Sequence, residues 1–379
     1  MSIHQRAVII AGPTGVGKTE LAIRLAKILN GELISCDSVQ VYKHLEIGSN
    51  KERIMDPPQH LIDFVELDEP FTAANFYEKC WECMVELRRK GKVPILVGGT
   101  GFYMDWLVRG RPSAPATDPQ VLQTVDEEID KIDGWSNKIL KLVEVDPDYA
   151  KTLCDNDVYR LKRALVVHRQ TGMPLSSFPR NSPSQVDWRC FYLTADRELL
   201  NKNIDLRCER MIQRGLIQET KELWEAGRLV KESTPGRSIG YWETIEYLES
   251  IKNAESRYEL GLAEESFPEY LNRFKAATRQ YSRRQENWFR RMHEFKWVER
   301  PDMTRTFDQS FVERLVAWYQ MEPEDFEKSI QNVDAEVRDR LGASCERNWK
   351  RMKTYCSKKS ERFDSREKIS NFLEEVFRQ

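Results

Sequence analysis

The chain has 379 residues, 40% of them hydrophobic, and its 59 Lys plus Arg against 61 Asp plus Glu leave a net charge of −2. That length suggests roughly two or three folding units with apolar content enough for packed cores. The near-neutral balance sets up no global field for nucleic acid, so any such binding must use local basic patches, and no apolar run approaches the roughly 20 residues that cross a membrane.

The first predicted strand is the apolar run Ala7–Ala11. It leads into Gly12-Pro13-Thr14-Gly15-Val16-Gly17-Lys18-Thr19, the pattern G-x-x-x-x-G-K-[ST], and then into a helix-like stretch to Leu29. This strand, loop and helix setting is what makes the pattern a polyphosphate site. Successive backbone N–H groups and a helix N-terminus wrap the anion, and Lys18 adds a point charge. The Thr19 hydroxyl is placed to touch Mg²⁺, the one cofactor expected. Because the loop opens at residue 12, no cleavable leader is expected before it, and the composition suits a cytoplasmic protein.

Residues 31–36 (GELISC) and 93–97 (VPILV) read as further strands, with helical patterns at about 18–29 and 75–90. Alternation of this kind predicts a parallel sheet covered on both faces, with ligands beyond the carboxyl ends of its strands. All three strands end in polar or Gly-rich loops, 12–19, Asp37–Tyr42 and Gly98–Tyr103, which should share one cleft. Asp37 has three plausible jobs: binding Mg²⁺ through water, orienting a ribose, or acting as a general base. A bland alternative is that it caps the following turn. Gln40 has the amide that can pair with adenine, and Thr100 is the one hydroxyl of its glycine-rich loop. VPILV ends in Gly98-Gly99 rather than in Asp, which weakens a nucleotide-hydrolase reading. Cys80 and Cys83 form C-x-x-C inside the second helix, but no second pair completes a zinc set, and the eight Cys read as reduced packing groups.

Pro112–Pro119 reads as a hinge. Residues 120–172 read as wholly helical, with Trp135 and Leu140–Val145 as core, and Phe191–Thr194 as a strand returning to the sheet. Residues 197–290 read as several helices, ending in a cluster, 278–291, of five Arg interleaved with Tyr281, Trp288 and Phe289. Such a helix presents guanidinium groups to phosphates, or is simply a solvated face with core aromatics. The tail from about 300 is charged and helical, and its stretch 347–366 is basic. The partition is therefore an α/β, P-loop NTPase-like parallel sheet core with a helical insertion and a helical C-terminal part: 1–115, 116–190, 191–300 and 301–379.

The ordered motifs GPTGVGKT (12–19), DSVQVY (37–42), IGSNK (47–51), HLID (60–63), GGTGFY (98–103), NDVYRLKRALVVHRQTG (156–172), SIGYWETIEYL (238–248) and RRQENWF (283–289) resemble those of the tRNA dimethylallyltransferases, or tRNA isopentenyltransferases, over about residues 7–292. The resemblance is to the form without a zinc-finger tail, since Cys345 and Cys356 lack His partners. It implies transfer of a dimethylallyl group from dimethylallyl diphosphate to the adenine 3′ of the anticodon in tRNA, with Asp37 as base. It implies diphosphate binding by 12–19 and by Arg237. It implies tRNA contacts from Asp37, Ser38, Val39, Gln40 and Thr100, from Tyr159, Arg160, Leu161, Lys162 and Arg163, and from Arg283, Arg284, Gln285, Trp288 and Arg290. The expected partners are the anticodon stem-loop and dimethylallyl diphosphate, with no membrane and a monomeric chain. IGSNKE in place of the more usual IGTAKP, and Gln59 before His60, are departures beside the site. Three other readings share parts of the pattern: an adenylate isopentenyltransferase acting on free nucleotides, a phosphate-loop small-molecule kinase, and a non-catalytic RNA-binding module.

Overall fold

A computed structural model describes residues 5–180, 186–252, 258–330 and 360–377. Strand β1 (Gln5–Ala11) is apolar from Ala7 onward because it is central: it pairs in parallel with β4 (Val93–Gly98) on one side and β5 (Val186–Ala195) on the other. Beyond β4 lie β2 (Gly31–Cys36) and the two-residue β3 (Gln59–His60), and beyond β5 lies β6 (Lys296–Arg300). The order is β3-β2-β4-β1-β5-β6, all neighbours parallel.

Register decides where the site must be. Ala11 is level with Gly98, and Gly98 with Cys36. The three strands therefore end together, and the loops that follow them converge as a parallel sheet requires.

Helix α1 (Lys18–Leu29) buries Leu21, Ala22, Leu25 and Ala26, spaced for one face. Its N-cap is Gly17 in the left-handed region, with no side-chain cap, so the first amides stay available to an anion. Helix α2 (Ala73–Arg89) is instead closed by a Thr72–Asn75 capping box. Cys80 is buried on α2, where burial pushes its thiol well up and makes it a packing group.

Two compact units result, residues 105–184 and the remainder. Helix α3 (Gly101–Arg109) opens in the sheet-bearing unit and ends in the other. The helical unit begins earlier than the expected 116 because Arg180 pairs with Asp105 at 2.8 Å and Pro112 bridges Arg180. These contacts draw the Pro-rich stretch into it. Residues 120–172 are four helices rather than one field: α4 (Pro119–Asp130), α5 (Trp135–Val145), the short α6 (Pro147–Ala150) and α7 (Val158–Thr171). Asp118, Asp146 and Asp157 cap α4, α6 and α7, and Gly172 in the left-handed region ends α7. Of the expected core in α5, Leu142 is buried, Trp135 half-buried, and Leu140 and Val143 exposed.

In the sheet-bearing unit, α8 (Arg197–Gln213), α9 (Leu216–Glu225) and α10 (Tyr241–Ser250) precede α11 (Leu260–Phe289), which runs for 30 residues. The region beyond 292 is not an appendage throughout. Strand β6 completes the sheet, and α12 (Gln309–Gln320) packs on α1. Sequence periodicity misses β6 because its inward positions are charged: Lys296 is buried over the Trp318 ring and donates to the Ser329 carbonyl at 2.6 Å. Helix α13 (Arg366–Phe377) packs on α11, with Phe363 and Phe372 against Phe267. Cys345, Cys356 and residues 347–359 of the basic stretch lie outside the described residues. Among those described, no helix is long and apolar enough to cross a membrane.

Candidate active site

One pocket gathers the loops after β1, β2 and β4. Thr14, Lys18, Thr19, Asp37, Gln40, Gly98, Gly99, Arg207 and Gln285 all line it. Sequence places the first seven there through the strand ends. Arg207, on α8, and Gln285, on α11, arrive through tertiary packing alone.

The phosphate loop is braced from several sides. Arg207 donates to Thr14 Oγ1 at 2.8 Å, and Asn203, one turn earlier on α8, donates to the Gly15 carbonyl at 2.6 Å. Arg300, on β6, donates to the Val16 carbonyl at 3.0 Å and stacks on Phe307. A side chain at Gly17 has no space: a Cβ there would lie 2.0 Å from the Arg300 guanidinium.

Lys18 Nζ donates to the Pro13 carbonyl at 2.9 Å. Burial, and then repulsion from Arg207, lower its pKa from the usual 10.5 to about 7, against the opposing effect of Asp37. Arg207 forms no ion pair among the described residues, and burial lowers its own pKa. Two cations facing one loop without a matching carboxylate contact make a site short of an anion.

Asp37 caps the turn after β2 and keeps its second carboxylate oxygen clear of that role. Its Oδ1 accepts from the Val39 and Gln40 amides at 2.8 and 3.2 Å, which fixes the turn, while Oδ2 has no hydrogen-bond partner among the described residues. Gln40 is committed elsewhere than to a base. Its Oε1 accepts from Ser35 Oγ at 2.8 Å, and its Nε2 donates to the Ser49 carbonyl at 3.2 Å. Ser38 and Val39 are half-buried beside it and outside the pocket lining. Thr100 Oγ1 is buried without a partner of hydrogen-bond geometry, and the Tyr281 hydroxyl lies beside it.

Arg237 is not brought to the pocket. It is exposed in the turn before α10, its amide bonded to the Ser233 carbonyl. The guanidinium that does line the pocket is Arg207. Sequence reasoning missed it because α8 carries apolar and charged residues on several faces, with no motif to mark one Arg among the others.

The remaining motifs are mostly scaffold. Glu219 accepts from the Glu46, Ile47 and Gly48 amides and from the Tyr241 hydroxyl, tying IGSNK to SIGYW. Lys51 is buried and donates to the Tyr42 carbonyl at 2.5 Å and to Asp63 at 2.7 Å, tying IGSNK to HLID.

The stretch Tyr159–Arg163 divides by helix face. Tyr159 is 80% exposed, whereas Leu161 is in the core of the helical unit. Arg160 pairs with Asp157, Lys162 with Asp126 and Asp130, and Arg163 holds Thr117 and the Pro115 carbonyl. At the end of α11, Arg283 and Arg284 are exposed, Arg290 pairs with Glu286, and Trp288 meets Phe102 edge-on at 6.1 Å. Gln285 is buried in the same turn.

For magnesium, Thr19 and Asp37 supply hard oxygen donors in one pocket. No group of three or more His, Cys, Asp or Glu capable of holding a metal occurs among the described residues. The donor set suits an ion that takes its other ligands from phosphate and water.

Comparison with known proteins places the chain in a family. Residues 40–292 match the family described as IPP transferase, and residues 5–61 that described as isopentenyl transferase. The tRNA dimethylallyltransferase of Protochlamydia amoebophila is 35% identical over 301 residues, 78% of this chain and 84% of the relative. The tRNA dimethylallyltransferase 9 of Arabidopsis thaliana is 32% identical over 98% of this chain and 86% of its own. A crystal structure of a eukaryotic dimethylallyltransferase acting on tRNA superposes with a TM-score of 0.68 at 27% identity, covering 83% of this chain and 78% of that one.

Proposed function

Since the chain belongs to the IPP transferase family, we propose that it transfers the dimethylallyl group of dimethylallyl diphosphate to N6 of the adenine 3′ of the anticodon in tRNA. The products are N6-isopentenyladenosine and pyrophosphate. The observation that carries this reading is the single pocket in which Lys18, Thr19 and Arg207 face a carboxylate, Asp37, whose Oδ2 is unengaged.

The exocyclic amine of adenine is a poor nucleophile because its lone pair is delocalised into the ring. As the new carbon–nitrogen bond forms, the amine must lose a proton, and Asp37 accepts it. Its Oδ1 is held by two amides, so Oδ2 has a fixed direction. The allylic carbon–oxygen bond breaks on the other side, and its electrons leave with pyrophosphate. Lys18, Arg207 and the amides of residues 14–19 stabilise that charge. Lys18 reaches the anion by leaving the Pro13 carbonyl, and the anion's charge raises its pKa so that it takes up and keeps a proton from solvent. Magnesium, held by Thr19 and near Asp37, would neutralise part of the diphosphate charge. Arg237 joins the diphosphate only if the turn before α10 moves inward. Thr100, whose hydroxyl lies beside that of Tyr281, contacts the target nucleotide, which has to leave its stack to reach the pocket. Arg283, Arg284 and Tyr159 are the exposed RNA contacts. The chain works as a cytoplasmic monomer.

The test is a choice of acceptor. Purified protein, dimethylallyl diphosphate and Mg²⁺ are given unmodified tRNA in one tube and AMP or ATP in another, and the digested nucleosides are weighed by mass spectrometry. Isopentenyladenosine from tRNA alone is the expected result. Product from the free nucleotide alone would make the chain a cytokinin-forming enzyme.

A further inference from the structure

Three successive residues of the loop after β4 meet three residues of one face of α11. Tyr281 lies beside Thr100, the Gln285 amide bonds to Gly99, and Trp288 lies against Gly101. Positions 281, 285 and 288 are spaced four and three apart, so they form a single stripe. A Cβ at Gly99 would lie 1.9 Å from Gln285 Nε2, and one at Gly101 would lie 2.3 Å from Trp288 Cδ1. The glycines allow the helix to dock directly on the backbone.

Gln285 does more than dock. It is 5% exposed, and both ends of its amide are used. Nε2 donates to the Gly99 carbonyl at 3.1 Å, and Oε1 accepts from the Thr14 amide at 2.9 Å. One side chain therefore spans the loop that holds the diphosphate and the loop that carries Thr100. Thr100 N donates to Cys36 O, so the backbone of the Thr100 loop is also tied to the end of β2. Gln285 is buried with its oxygen and its nitrogen each bonded to a different loop, whereas its neighbours Arg283 and Arg284 are exposed.

We infer that Gln285 is a positioning residue that brackets the phosphate loop to the Thr100 loop and so fixes the distance between the allyl donor and the adenine acceptor. The inference deepens the proposed transferase reading and rests on it. Small errors in the separation of two reactants lower the rate steeply while leaving the binding of each nearly intact. An RNA contact would behave in the opposite way.

The test uses the full chain and two substitutions. Gln285→Met keeps the length and removes both hydrogen bonds. Gln285→Glu keeps the acceptor for Thr14 but donates to Gly99 only when protonated. For Gln285→Met, kcat should fall at least about tenfold, with KM for tRNA and its salt dependence within twofold of the parent. For Gln285→Glu, the deficit relative to the parent at the same pH should shrink from pH 8 to pH 6, as protonation restores the donor. Melting temperature and tRNA binding establish that each variant folds; if Gln285→Met does not, the pH profile of Gln285→Glu decides. Unchanged kcat in Gln285→Met, or a rise in KM for tRNA with kcat intact, would overturn the bracket. So would a deficit in Gln285→Glu that does not change with pH. Parent protein that makes no isopentenyladenosine from tRNA would instead sink the transferase reading, before any variant is compared.

Discussion

The pocket beneath the phosphate loop and helix α7 of the insertion carry the same kinds of cation in opposite circumstances. On α7, Arg160 and Lys162 each meet carboxylates, Lys162 two of them at 2.9 Å. In the pocket, Arg207 has no ion pair among the described residues, and Lys18 is bonded only to a carbonyl while losing its proton easily. Both sets sit in motifs of the family, or beside them. The difference teaches that a neutralised cation is scaffold, whereas a cation held without its counter-charge is waiting for a ligand.

The largest effect should come from Asp37, whose Oδ2 has no hydrogen-bond partner among the described residues. Asp37→Ala should lower turnover by at least about a hundredfold while tRNA affinity, measured by filter binding, changes little. Unchanged turnover would remove the general-base role.

Arg207 ranks next. Arg207→Gln should raise KM for dimethylallyl diphosphate about tenfold or more, since a hydrogen bond to a charged group contributes roughly 1.5–3 kcal/mol. Arg237→Gln, measured in parallel, should do less; the reverse order would mean that the turn before α10 closes on the diphosphate.

The pair also makes a pH prediction. Lys18 binds an anion as an ammonium, and its pKa of about 7 in the free protein rises once the anion is bound. Pyrophosphate affinity should therefore weaken as pH rises above about 7, with proton uptake detectable by calorimetry in buffers of different ionisation enthalpy. Removing the Arg207 charge should move that transition to higher pH. For the free protein the sign is the reverse. The unfolded chain holds the Lys18 proton to higher pH than the folded one, so this group's penalty to stability fades as pH rises from about 7 toward 10.5.

Smaller effects separate the RNA-binding side chains from the scaffold. Neutralising Arg283 and Arg284 together should raise the apparent tRNA constant and flatten its salt dependence, by about one unit of slope for each phosphate left without its cation. Lys162→Met should leave that slope unchanged. Leu161→Ala should cost about 2–5 kcal/mol of stability in the helical unit through a cavity, read by denaturant titration, with the salt slope again unaltered.

Much of this was legible in the sequence, and for identifiable reasons. Apolar strands ending in Gly-rich or acidic loops bring Thr14, Lys18, Thr19, Asp37, Gly98 and Gly99 to one pocket, because the ends of β1, β2 and β4 are level; Thr100 lies just outside its lining. The motif order marked the family. What stayed hidden depends on packing. Strand β3 is too short to show a period, and β6 hides behind its buried Lys296 and Arg300. Nothing in the spacing of α8 distinguishes Arg207 from its neighbours. A motif resemblance groups Tyr159 with Leu161, and Gln285 with Arg284, because it reads along the chain. The structure divides them across helix faces.

Sheet order also has a consequence during synthesis. Strand β1 is made before both of its neighbours, and one of them, β5, begins at residue 186 and follows the whole helical insertion. The Arg300 that braces Val16 is made 284 residues after the loop it supports. Until β5 is made, β1 has an edge unpaired, and until Arg300 is made, Gly17 is unshielded. Such long-range closure is slow and leaves a strand edge exposed to wrong partners. The nascent phosphate loop therefore acquires its braced shape, and with it any affinity for diphosphate, only after β5 and β6 have followed it.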